Sequence, residues 1–171
     1  MKIVLLSLIG VIGAVVILGF LLPKDFSIER EMIINKPKDV VFDYVKSLKN
    51  DNSWNPWAVK DSTIVFQYKG TDGTVGCISS WSGRSGVGEQ EITSIVEGQK
   101  MTYELRFKKP FEATNQSYLM TESVGNQTKI KWGMTGTVPF PMNILHQLSK
   151  GMLVRAFDEG LGMLKTDLEK K

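Results

Sequence analysis

With one cysteine and one histidine in 171 residues, few routes to nucleophilic, acid/base or metal chemistry are open to this chain. A lone Cys77 excludes an intramolecular disulfide and an all-cysteine metal site, and a lone His146 excludes zinc sites built on paired histidines. No metal ion or other cofactor is expected. His146 is the one side chain of a type that titrates near neutral pH, yet it stands one residue after an apolar position of a helical pattern, where a solvated or capping histidine is the simpler reading. Cys77 falls between Val75 and Trp81 with no neighbouring cation to favour a thiolate, so it reads as a buried thiol. Glu89 and Glu91, two apart on a strand, share a face and could work as a carboxylate pair, but a charged outer face has the same pattern. Gly83-x-x-Gly86-x-Gly88 reverses the order of a dinucleotide-binding loop and leads into no helix, which makes it a hairpin. Asn115-Gln116-Ser117 and Asn126-Gln127-Thr128 match the glycosylation pattern and decide nothing without a secretory context. No catalytic residue is therefore assigned. The net charge of +3 is spread without a run of Lys and Arg, so no nucleic-acid partner is expected.

What remains is a set of large apolar side chains and the elements that must hold them. Phe26–Ile34 alternates with period 2 and reads as a strand; Pro37, Asp39 and the spacing of Val40, Val41, Tyr44, Val45 and Leu48 predict a short helix over 37–48. Trp54-Asn55-Pro56-Trp57 reads as a tight corner. Six strands follow, near 62–69, 74–82, 87–97, 100–107, 113–124 and 127–138, separated by short turns, which predicts an antiparallel meander. Its faces differ. Ile64/Phe66/Tyr68, Val75/Cys77/Trp81, Met101/Tyr103/Leu105/Phe107 and Ile130/Trp132/Met134 point one way, and Glu104, Arg106, Lys129 and Lys131 the other. After Pro139-Phe140-Pro141, apolar residues at spacings of 3 and 4 from Leu145 to Leu168 predict one amphipathic helix over about 142–169 covering the apolar face.

At residue level the chain resembles the SRPBCC superfamily, in its polyketide cyclase/dehydrase and lipid-transport-like branch, related to START and birch-pollen-allergen-type domains. The residues that carry the resemblance are Ile28-Glu29-Arg30 leading to Ile33-Ile34-Asn35-Lys36-Pro37 and Val40-Val41-Phe42; Trp54-Asn55-Pro56-Trp57; Gly86-Val87-Gly88-Glu89 with Ile92; Thr128-Lys129-Ile130-Lys131-Trp132; and Gly160-Leu161-Gly162-Met163-Leu164-Lys165. They extend over about 23–170. The resemblance implies an α+β helix-grip fold, a seven-stranded curved antiparallel sheet in the order β-α-α-β6-α wrapped around the last helix, with a hydrophobic cavity between them. It implies ligand contacts from Trp57, Phe66, Tyr68, Trp81, Tyr103, Tyr118, Trp132, Met134 and Met152. The residue pattern by itself favours a filled core, and it is the resemblance that favours a cavity. Binding of a lipid or other hydrophobic small molecule without turnover is the leading expectation; a cyclase/dehydrase- or hydrolase-type enzyme, or a cavity-less surface-interaction module, are the alternatives, and no protein partner is identified.

Residues 1–22 differ from the rest. Seventeen of them are apolar and Ile3–Leu22 carries no charge, enough at about 1.5 Å per residue to cross a hydrocarbon core of about 30 Å. The run exceeds the usual length of a signal-peptide core and lacks an Ala-x-Ala-like site, so 1–22 is expected to be an uncleaved single-pass membrane anchor and 23–171 the ligand-binding domain. Flanking Lys and Arg lean towards a cytoplasmic domain. In a meander whose last strand feeds the long helix and pairs with the first strand, the loops at 83–87, 108–112 and 139–141 share one end of the sheet with the membrane junction. Lys108, Lys109, Pro110, Phe111, Phe140 and Pro141 are then expected to be membrane-facing rim residues or, on the plainer reading, simply turn residues.

Overall fold

Alternation of apolar and polar side chains builds seven strands, and from the third strand onward each meander turn is tight enough to bring its strand back antiparallel beside the last. The computed structural model describes residue 10 and residues 19–170. The elements are β1 (Asp25–Ile34), α1 (Lys38–Lys46), α2 (Asp51–Trp54), α3 (Pro56–Lys60), β2 (Val65–Lys69), β3 (Ile78–Gly83), β4 (Gly86–Val96), β5 (Lys100–Lys109), β6 (Ala113–Val124), β7 (Gln127–Thr137) and α4 (Met142–Glu169). One antiparallel sheet runs β1-β7-β6-β5-β4-β3-β2. Asp25 pairs with Thr137, so β1 begins at the end of the sheet that carries the β3–β4 and β5–β6 turns.

The meander strands lie close to their expected places, with one instructive difference. The expected strand over 74–82 begins only at Ile78, because residues 70–77 form a loop in which Gly70, Gly73 and Gly76 take positive φ. The loop brings Asp72 under the end of α1, where its carboxylate accepts from Leu48 N at 2.8 Å and Ser47 Oγ at 2.6 Å. β2 likewise starts later than 62, at Val65. Asp61 gathers Thr63 and Ser85 around its carboxylate, and those hydrogen bonds hold it well below the usual carboxylate range.

The tryptophan corner becomes two short helices. Asn55 accepts from Trp57 N at 3.1 Å and Pro56 occupies the first turn of α3, the position where a missing N–H costs nothing. Trp54 is buried and meets Trp132 edge-on at 5.1 Å. α4 reaches this corner through Gly160, where a Cβ would lie 2.7 Å from Trp132 and 3.0 Å from Pro56. The close approach of the helix therefore falls at Gly160, whereas Gly151 and Gly162 face open space.

α4 is not covered along its length. Phe157, Leu161, Leu164 and Leu168 are buried against the sheet, but Leu145, Leu148 and Met152 stand 58%, 80% and 68% exposed. The apolar spacing continues to the helix start without a packing partner among the described residues. That first part is held instead to the segment before β1: Asn143 Nδ2 donates to Gly19 O at 2.7 Å and Leu22 O at 3.3 Å, and Phe140 stacks on Phe20 at 4.8 Å. The membrane-spanning helix expected over 1–22 falls mostly outside the described residues. Among those described, no helix is long and apolar enough to cross a membrane.

Candidate functional site

On the concave face of the sheet, inward side chains form rows fixed by register. One row crosses Phe66, Trp81, Gly88, Phe107 and Ala113. Gly88 carries no side chain because the Trp81 indole occupies that space: a Cβ there would lie 2.4 Å from the ring, which meets Phe107 edge-on at 5.7 Å. The next row inward, Tyr68, Ser79, Gln90 and Leu105, is largely polar. Between these rows and the helices lies a cavity of about 410 Å³. Trp57 and Ala58 of α3 and Leu153 and Phe157 of α4 close it from the helical side. Ser85 and Gly86 of one turn, and Lys109, Pro110 and Phe111 of the other, edge it at the end of the sheet.

Of the expected ligand contacts, Trp57, Phe66, Trp81, Tyr103, Trp132 and Met134 line this cavity. Three stand elsewhere. Tyr68 lies just off the lining, its hydroxyl accepting from Asn52 Nδ2 at 2.8 Å. Tyr118 belongs to the opposite face, since Ser117 and Leu119 point inward; its hydroxyl donates to Glu29, and Lys100 Nζ lies 5.0 Å from its ring. Met152 projects from the outer side of α4. Among the expected rim residues, Lys109, Pro110 and Phe111 reach the cavity edge. Lys108 turns back to Glu89 at 2.7 Å, Phe140 packs on Phe20, and Pro141 is exposed beside it.

Several lining residues escaped the sequence reading. Asp51 and Asn52 belong to the polar stretch that ends α1, a stretch with the composition of an ordinary turn. Yet Gln90 Nε2 donates to Asp51 Oδ2 at 2.7 Å, and both side chains face the cavity. Burial pushes the Asp51 carboxyl up to about 7; the Gln90 hydrogen bond partly opposes this and the Asp72 carboxylate adds to it. Gln90 did leave a signal, a polar residue at the inward position between two outward glutamates.

The remaining reactive groups lie apart. Cys77 is buried outside the cavity lining, its thiol pushed up by burial and by Asp72, so a thiolate is disfavoured. His146 packs against Phe26 at 4.6 Å, and burial, then Lys150, lowers its basicity. Glu89 and Glu91 face outward, where the Arg106 guanidinium binds both, at 2.7 and 2.8 Å, with Glu104 at 2.6 Å. They are ion-paired rather than poised as an acid and a base. Among the described residues, no three His, Cys, Asp or Glu side chains converge as a metal site.

Residues 25–169 match the family described as polyketide cyclase/dehydrase and lipid transport. No curated protein matches the sequence. Solved structures share its fold at low identity. Protein CV1439 from Chromobacterium violaceum is 12% identical over 84% of this chain and 96% of its own, with a TM-score of 0.61. Ara h 8.0201 is 15% identical over 86% and 99%, at 0.59. A Thermobifida fusca protein is 15% identical over 84% and 93%, at 0.64.

Proposed function

This chain belongs to the polyketide cyclase/dehydrase and lipid-transport family, and from that premise we propose that it binds a hydrophobic small molecule in the cavity between sheet and α4 and holds it unchanged. The carrying observation is the cavity, about 410 Å³ and walled by Trp57, Phe66, Trp81, Phe107, Trp132 and Phe157. Such a volume falls within the usual range of small-molecule sites, about 300–1,000 Å³, and its walls suit an apolar body. Retention without turnover is supported by the chemistry within reach. Among the described residues Asp51 is the one carboxyl group on the lining, its hydrogen-bond partner is an amide, and neither His146 nor Cys77 joins it. A second reading, an enzyme using Asp51 as a lone acid or base, is favoured by that residue's raised pKa and would convert bound substrate into a released product.

The experiment fills the cavity. Leu105→Trp adds volume where Leu105 already faces open space, so it avoids the overpacking cost of a filled core. Compounds extracted from the full-length protein purified in mild detergent are compared with those from the variant. The variant should retain its Tm while recovery of the apolar compound drops about tenfold. Equal recovery at equal Tm contradicts the cavity reading.

The proposal includes a membrane-tethered domain whose cavity mouth faces the bilayer. It rests on the apolar run Ile3–Leu22, on the hold that Asn143 keeps on Gly19 and Leu22, and on the exposure of Phe20, Leu21, Phe111, Leu145 and Leu148 towards the same end of the sheet. Because Cys77 is buried, single introduced cysteines report cleanly. In liposomes, Phe111→Cys should react with a water-soluble maleimide about tenfold more slowly than Val96→Cys, at the opposite end of the sheet. Equal rates would place the mouth away from the bilayer.

A further inference from the structure

The cavity is apolar near its edge and polar at its floor, and the floor has an unusual hydrogen-bond balance. Asp51 Oδ2 accepts from Gln90, but Asp51 Oδ1 is enclosed and has no partner among the described residues. Asn52 donates its amide to Tyr68, and its own buried Oδ1 likewise has no partner among the described residues. Two neighbouring residues therefore each hold an unused acceptor, and both face the cavity. The torsion that orients a carboxylate or an amide is soft, so a small rotation turns either oxygen towards a bound molecule. An enclosed acceptor without a donor is costly, and a ligand that supplies the donor recovers that cost.

A donor is also underused on the same floor. Tyr103 lines the cavity and is buried, and its hydroxyl donates to Met101 Sδ at 3.5 Å, a weak acceptor. The Asp51 carboxylate acts on the Tyr103 phenol, which burial first and that charge second raise well above its ordinary pKa. Unused acceptors from Asp51 and Asn52 beside a donor from Tyr103 complement a group that both gives and takes a hydrogen bond.

We propose that the floor formed by Asp51, Asn52 and Tyr103 recognises a hydroxyl group on an otherwise apolar ligand. The hydroxyl hydrogen goes to Asp51 or Asn52 and its oxygen accepts from Tyr103. Above about pH 7, where the Asp51 carboxyl is ionised, a carboxylate head meets two acceptors and is rejected; an alkyl chain without a head leaves them unpaired; an ammonium satisfies the acceptors but cannot accept from Tyr103. This rests on the binding reading above and narrows it to alcohols.

The test uses the full-length protein in mild detergent at pH 8, where Asp51 is ionised, and native mass spectrometry with four probes of equal chain length: 1-dodecanol, dodecane, dodecanoate and dodecylammonium. The alcohol should bind about tenfold more tightly than any of the others. Tyr103→Phe keeps the ring and removes the hydroxyl, so it should weaken 1-dodecanol severalfold and leave dodecane unchanged. Asp51→Leu should reduce the preference for alcohol over alkane severalfold, Asn52 and Tyr103 retaining the rest. Equal affinities for all four probes overturn the hydroxyl assignment and leave the binding reading standing. Tightest binding of dodecylammonium overturns it in favour of an ion-pairing floor, and unchanged ratios in both variants overturn the roles of Tyr103 and Asp51. Binding of none of the four defeats the cavity reading together with this one.

Discussion

Alanine in place of Trp132 should cost about 3–5 kcal/mol of stability, the range for truncating a large buried aromatic. The ring is 8% exposed and joins three elements. It stacks on Phe157 of α4 at 4.1 Å and 20°, and meets Trp54 and Trp57 of the α2–α3 corner edge-on at 5.1 and 6.3 Å. Gly160 admits the ring by having no side chain, so little can collapse into the space it leaves. The same ring forms part of the cavity wall. Loss of ligand in Trp132→Ala would therefore report unfolding as much as lost contact, whereas Leu105→Trp separates the two. Urea unfolding of the variant gives the cost directly. A loss below about 1 kcal/mol would mean that the α2–α3 corner and α4 are docked by something other than this cluster.

Asp51→Asn should change the pH dependence of stability more than its value at low pH. The Asp51 carboxyl is held at about 7 in the fold against an ordinary 3.8. The folded state thus favours the protonated form. That stabilisation is fully present below about pH 4 and is lost as pH rises through about 7. Between pH 4 and pH 8 the wild-type protein should lose stability relative to the variant, with an upper limit of about 4 kcal/mol. Burial is the leading cause, with Gln90 opposing it and Asp72 reinforcing it. Urea midpoints at pH 4, 6 and 8 for both proteins read the difference. Parallel curves would mean that Asp51 is solvated in the native state and that the cavity floor is wet.

Much of this architecture was legible because it rests on local periodicity. The range of α4 follows from apolar spacing and from Pro139 and Pro141, and strands β4 to β7 follow from alternation between short turns. What periodicity cannot convey is which neighbour an apolar face meets. Leu145, Leu148 and Met152 continue the buried stripe of α4 by spacing and yet are exposed, because the sheet packs against the part of the helix beyond them. Tyr118 joins the aromatic set by residue type, but the parity of β6 sends it outward. The polar floor was the least legible part. Asp51 and Asn52 have the composition of a turn, and their chemistry exists only because Gln90 and Tyr68 arrive from strands sixteen or more residues away.

The most direct test of the central claim is a native mass spectrum of the full-length protein released from mild detergent, with extraction and identification of whatever remains bound. A one-to-one complex with a single class of apolar molecule, lost in Leu105→Trp and recovered chemically unchanged, is the predicted result. A folded protein with no retained molecule, and none taken up when apolar probes are added, would contradict the account and leave the concave aromatic face as a core without a ligand.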